Sequence, residues 1–135
     1  MNTLDLINAY YTAFNSGDRE AMLALLSDDV VHDLNQGDRE IGRDAFRTFL
    51  ERMDRSYSEQ LHDIVVMPSA DGSRAGAEYV VHGTYRFTDE GLPEANEQRY
   101  VLPGGAFFDI RDGLITRVTN YYNLGDWIAQ VAGDA

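Results

Sequence analysis

The chain contains no cysteine, which removes disulfides, thiolate metal sites and cysteine nucleophiles from consideration. Cations are scarce: 11 Lys plus Arg against 23 Asp plus Glu give a formal net charge of −12. Arg43, Arg47, Arg52 and Arg55 alternate with acids rather than cluster, so neither nucleic acid nor an anionic membrane surface is expected as a partner. No apolar run approaches the roughly 20 residues of a membrane helix. The N-terminus lacks the basic start and apolar core of a signal peptide, and a cytoplasmic location is the expectation. The three histidines, His32, His62 and His82, show no tight ligand spacing, so no metal site is expected, and no cofactor.

What is present is an ordinary globular composition, 44% hydrophobic and 25% charged, over 135 residues. That length suits one domain, 1–135, with a substantial core. Two apolar, β-branched and aromatic runs flank Arg111-Asp112-Gly113, where Asp and Gly supply the conformations of a hairpin turn. The second run alternates Ile115, Arg117, Thr119 and Tyr121 against Thr116, Val118, Asn120 and Tyr122. Both sets are mixed, so this strand is expected to be covered on both faces, by core on one and by a partner or ligand on the other.

In chain order, Thr3 is placed to cap a helix with Ile7, Tyr10, Ala13 and Phe14 at helical spacing, ended by Asn15-Ser16-Gly17. Asp18 caps a second helix carrying Met22, Leu25 and Leu26, broken at Asp28-Asp29. Val30 to Leu34 reads as a short strand running into the turn Asn35-Gln36-Gly37. Gly42 opens a third helix with Ala45, Phe46, Phe49, Leu50 and Met53 as its apolar stripe. Gln60 to Met67 is a strand and Asp71-Gly72 a turn. Arg74 to Phe87 is a long strand with Ala75, Ala77, Tyr79, Val81, Gly83, Tyr85 and Phe87 in one phase. Thr88 to Glu97 is a connecting loop. Trp127, Ile128 and Val131 suggest a terminal helix, with the last residues fraying. Helices first, then four long antiparallel strands, is an α+β layout. A strongly bent sheet around three helices would leave a conical cavity, with Pro103-Gly104-Gly105 the natural place for a bulge or bend.

This order of elements resembles the SnoaL-like, ketosteroid-isomerase-related branch of the NTF2-like superfamily. The residues that carry the likeness are Ala13 to Asp18, Leu25 to Val31, Gly42 to Phe46, His82 to Tyr85, Gly91-Leu92-Pro93 and Phe107 to Tyr122. The resemblance implies a cone, a strongly curved, mostly antiparallel sheet wrapped around three N-terminal helices. It does not specify a reaction, because one fold hosts many.

The family's oxyanion tyrosine, five residues before the Asn of the Asn-Ser-Gly-Asp motif, falls on Tyr10. Its base falls on Leu34 counting forward from Asp28-Asp29 and on Asp33 counting back from Gly42. Successive strand side chains point to opposite faces, so either His32 and Leu34 or Asp33 and Asn35 line the pocket. His32, Asp33 and Tyr10 are therefore the candidate catalytic residues. The family's second oxyanion acid is replaced by Ala106, whose methyl cannot donate a hydrogen bond. Asn120, Tyr122 or Tyr100 could take its place. The resemblance places Phe14, Tyr85, Phe108, Val118, Asn120 and Tyr122 around the substrate, and Arg117, Thr119 and Tyr121 on the outer face with His82 and Glu78.

The expected activity is acid–base chemistry without a cofactor on a small hydrophobic carbonyl compound, proton transfer leading to isomerisation or cyclisation. The alternatives are a non-catalytic small-molecule-binding module and a structural homodimer. The family habit implies a homodimer through the outer sheet face, around Thr84, Thr119 and Tyr121.

Overall fold

The computed structural model of the protein describes residues 1–132, and the expected fraying of the last residues lies outside them. The elements run α1 (Thr3–Ser16), α2 (Arg19–Ala24), β1 (Leu26–Asp33), β2 (Arg39–Ile41), α3 (Arg43–Ser56), β3 (Tyr57–Pro68), β4 (Arg74–Tyr85), β5 (Gln98–Arg111), β6 (Leu114–Tyr122) and α4 (Leu124–Ala132). The six strands form one curved, unclosed sheet in the order β2-β1-β6-β5-β4-β3. Every pairing is antiparallel except β1 with β6, which is parallel. The α+β cone of the sequence reading is the fold.

Helix α1 is capped by Asn2, whose side chain accepts the Asp5 amide N–H at 2.8 Å. Thr3, the expected cap, instead donates its hydroxyl to the Gly72 carbonyl at 2.6 Å and ties the helix to the β3–β4 turn. Gly17 ends the helix at φ 75°, a left-handed conformation that costs glycine nothing. Asp18 caps α2 by accepting the Ala21 N–H. The buried face of α1, Leu6, Ile7, Tyr10, Tyr11 and Ala13, packs on the concave side of the sheet.

Helix α2 stops at Ala24, earlier than Asp28-Asp29, because Leu26 and Val30 are both needed in the core as strand residues. The two acids sit in a register shift between Leu26 and Val31, where Asp28 is exposed. The three-residue strand β2 was not anticipated. Nor was the start of β3 at Tyr57, directly after α3.

The β4–β5 register runs unbroken from Arg74↔Asp109 to Tyr85↔Gln98, straight through Pro103, Gly104 and Gly105. No bulge interrupts β5 there; the shifts fall at His62/Val65 and Asp109/Ile110. Gly104 has a different use. A Cβ on it would come 2.6 Å from the ring of Tyr79, its cross-strand partner, so its missing side chain is the bed of that tyrosine. The phase of β4 is as the alternation predicts, with Ala75, Ala77, Val81, Gly83 and Tyr85 buried and Phe87 exposed beyond the strand end.

Candidate functional site

The concave face, α1, α3 and the loop 88–97 enclose a cavity of about 870 Å³. Its rim carries exposed residues of the 36–38 turn, of the end of α3 and of the loop, among them Gln36, Arg55 and Glu90.

His32 enters from β1. Strand alternation sends Val30 and His32 inward and Asp33 outward, and the short hairpin puts Glu40 of β2 directly opposite His32. The imidazole is 1% exposed, held between Phe46 at 4.5 Å and Phe49 at 4.6 Å between ring centres. Its Nδ1 lies 3.5 Å from Glu40 Oε1, and neither atom has a closer polar partner. The carboxylate thus favours the tautomer with the proton on Nδ1 and leaves Nε2 for the cavity. Burial between the phenylalanines lowers the His32 pKa below its ordinary 6.5, against the opposing pull of Glu40. That direction favours the neutral ring.

Asp33 is not in the cavity. Arg39 grips it with two bonds of 2.7 and 3.1 Å, and the Thr119 hydroxyl donates to it at 2.9 Å. The Arg39 bonds hold its carboxyl below the usual carboxylate range. This outer network makes Asp33 an anchor between β1, β2 and β6, and removes it as a candidate base.

Tyr10 lines the cavity floor, and burial pushes its phenol well up, so it stays a neutral donor. Tyr11 lies beside it with ring centres 5.4 Å apart, its hydroxyl buried and without a partner. Phe14 is also on the wall, under the Arg19 guanidinium at 4.8 Å. Asn120 and Tyr122 project inward from β6 as expected. The Tyr79 hydroxyl is 3.5 Å from Asn120 Oδ1, and Asn35 pins the end of β6 by bonding both the N–H and the carbonyl of Tyr122.

Three expected lining residues are core instead. Phe108 and Val118 are fully buried beneath the wall, Phe108 supporting the Tyr10 ring edge-on at 5.6 Å. Tyr85 is buried between Tyr57 and Trp127. Its hydroxyl donates to the Pro93 carbonyl at 2.6 Å and accepts the Asp89 N–H at 2.9 Å, so it holds the rim loop rather than a ligand. Ala106 is buried opposite Asn120 and Ala77 and brings no polar atom to the site. On the outer face, His82 lies against His62, with ring centres 4.1 Å apart and the rings tilted by 48°.

Two carboxyl groups were missed. Glu40 lay on a strand too short to show any period. Glu59 lines the cavity from β3, between the inward-facing Tyr57 and Leu61. The Tyr57, Glu59, Leu61 alternation was the available signal. Burial pushes the Glu59 carboxyl above its ordinary 4.5, although a hydrogen bond from the Tyr100 hydroxyl pulls the other way.

The SnoaL-like domain model matches residues 7–118. Among solved structures, a candidate polyketide cyclase from Pseudomonas putida KT2440 is 62% identical over 97% of this chain and 98% of its own, with a TM-score of 0.96. A candidate polyketide cyclase from Xanthomonas campestris pv. campestris is 70% identical over 95% of both chains, with a TM-score of 0.92. An LEH-like epoxide hydrolase of M. tuberculosis shares the fold at 22% identity and a TM-score of 0.70, over 96% of this chain and 89% of its own. No curated protein matches the chain.

Proposed function

The chain belongs to the SnoaL-like domain family, and from that footing we propose that it is an acid–base enzyme acting on a small hydrophobic carbonyl compound in this cavity. The observation that carries the reading is His32, a buried imidazole on the cavity wall with Glu40 behind Nδ1. In this mechanism Nε2 takes a proton from the carbon next to the carbonyl, and Nδ1–H stays directed at Glu40, which offsets the charge of the imidazolium. The Tyr10 hydroxyl and the Asn120 amide polarise the carbonyl oxygen, the places where negative charge develops. Reprotonation at another carbon is isomerisation; attack of the enolate on a second carbonyl is ring closure, the outcome suggested by relatives named as candidate polyketide cyclases.

The test uses 2-tetralone, an apolar ketone with acidic α-hydrogens, and follows deuterium uptake from D2O by NMR. His32→Ala is expected to slow exchange about 100-fold or more, the usual worth of a positioned base, while Asp33→Ala leaves it nearly unchanged. Equal rates in the wild type and His32→Ala would remove the assignment.

The outer face is the second part of this reading. Val65, Met67, Phe107 and Tyr121 are exposed there, with Phe107 and Tyr121 in edge contact at 5.9 Å. We take this apolar strip as a homodimer surface. Thr119, buried under Asp33 and Arg117, is not part of it. Sedimentation equilibrium should give twice the 15.2 kDa chain mass, and the monomer for Tyr121→Asp.

A further inference from the structure

A row of three residues crosses the sheet on strands β3, β4 and β5, away from the β1 strand that carries His32. Glu59 on β3 stands opposite Gly83 on β4, and Gly83 stands opposite Tyr100 on β5. Side chains opposite one another in adjacent strands share a face. Gly83 has none, and the Tyr100 ring occupies the space: a Cβ on Gly83 would lie 2.3 Å from Tyr100 Cζ. The tyrosine therefore reaches across a whole strand and donates its hydroxyl to Glu59 Oε2. Glu59 lines the cavity; Tyr100 is buried behind it. Strands β1 and β3 lie toward opposite ends of the sheet, so His32 and Glu59 approach the cavity from opposite sides.

We propose that Glu59 is a second catalytic group of this cavity, the donor of a proton to the substrate oxygen, and that Tyr100, seated on Gly83, is its positioning residue. The inference rests on the reading of His32 as the base.

An ordinary glutamate is ionised at neutral pH and has no proton to give. Burial of Glu59 opposes ionisation and outweighs the Tyr100 hydrogen bond and the Arg19 charge, which favour it. The groups facing it are Tyr79, Tyr100, Tyr122 and Arg19, and the one cation among them is engaged by Asp54 at 2.6 Å. Burial without a free counter-charge favours the neutral acid.

The proton balance closes on these two residues. As His32 Nε2 takes the proton from carbon, the C–H pair becomes the C=C bond, and the carbonyl π pair moves to oxygen. That oxygen takes the Glu59 proton, and the resulting carboxylate receives the Tyr100 hydrogen bond. Ketonisation runs in reverse: carbon takes the proton from His32, and Glu59 recovers its own from the enol.

The experiment is a 13C NMR titration of the Glu59 carboxyl carbon in the full chain, with and without 2-naphthol, a planar phenol shaped like an enol. The expected midpoint lies above 4.5, and saturating 2-naphthol moves it higher. Tyr100→Phe, which removes the donor to the carboxylate, also moves it higher; a purely structural tyrosine would leave it in place. Glu59→Leu weakens 2-naphthol binding about tenfold, the worth of one hydrogen bond to a phenolic oxygen, and Glu59→Gln, which keeps an N–H donor, weakens it less. A carboxyl that is ionised at pH 7 in the 2-naphthol complex, or a midpoint that 2-naphthol does not move, overturns the proposal. Because His32→Ala leaves this titration intact, failure of His32 as the base shows only in the 2-tetralone exchange.

Discussion

His32 and Asp33 are neighbours in the chain but obey different electrostatics. Asp33 stands on the convex face, gripped by Arg39 and Thr119 in contact with water. There the charge is the favoured form and its pairing adds little, because exposed ion pairs are weak. His32, one residue earlier, stands on the concave face between two phenylalanines, where burial disfavours charge even with a carboxylate behind it. The same contrast separates Glu59 from the exposed acids. In a chain of net charge −12, His32 and Glu59 are titratable groups that the sheet turns inward, where burial works against their charged forms.

The largest break in this contrast is expected at a second neighbouring pair. Phe108→Ala empties the core beneath Tyr10 and should cost about 3–5 kcal/mol of stability, whereas Phe107→Ala on the outer face should cost the monomer no more than about 0.5–1 kcal/mol. Urea unfolding at a concentration that holds the monomer checks both.

A smaller effect separates the two inward titrating groups by the sign of their pH dependence. The His32 pKa is lowered on folding, so its folded state binds fewer protons than its unfolded state, and its contribution to stability is lost as pH falls below about 6.5. The Glu59 pKa is raised, so its contribution is lost as pH rises above about 4.5. Between these limits the two contributions have opposite slopes, so the unfolding free energy should rise less with pH in His32→Gln than in the wild type and fall less with pH in Glu59→Gln. Parallel curves for wild type and both variants would contradict the burial argument. The smallest change is expected for Arg39→Ala, which frees Asp33: under about 1 kcal/mol, and weaker still in high salt.

The elements legible in the sequence were those with a sustained period or a strong stop. The α1 stripe ending at Gly17, the long β4 alternation and the hairpin at Asp112-Gly113 all stand where patterning puts them. Alternation also limited β1 to two options, but which of His32 and Asp33 faced inward depended on the sheet partners, information that a single strand does not hold. Phe108 and Val118 were read as lining because core and cavity wall share one phase; only depth within the cone separates them. Glu59 was passed over because α3 passes into β3 without a turn, and the strand was expected only from Gln60. At Gly104 a glycine served a neighbour's ring rather than a backbone kink, and the two uses look identical until the strand beside it is known.

The parallel pairing of β1 with β6 joins residues far apart in sequence, such as Asp33 and Thr119, 86 positions apart. Such contacts require closing a loop of well over half the chain before any bond rewards it, and they slow folding. The hairpins β3–β4 and β5–β6 close locally, so the Glu59 side of the cavity can form from neighbouring sequence. The strand that carries His32 gains its place in the sheet only after the last strand has been made. During synthesis, therefore, the Glu59 wall can form before β1 joins the main sheet, and a nascent chain that stops short of β6 holds His32 on a β1–β2 hairpin not yet attached to that wall.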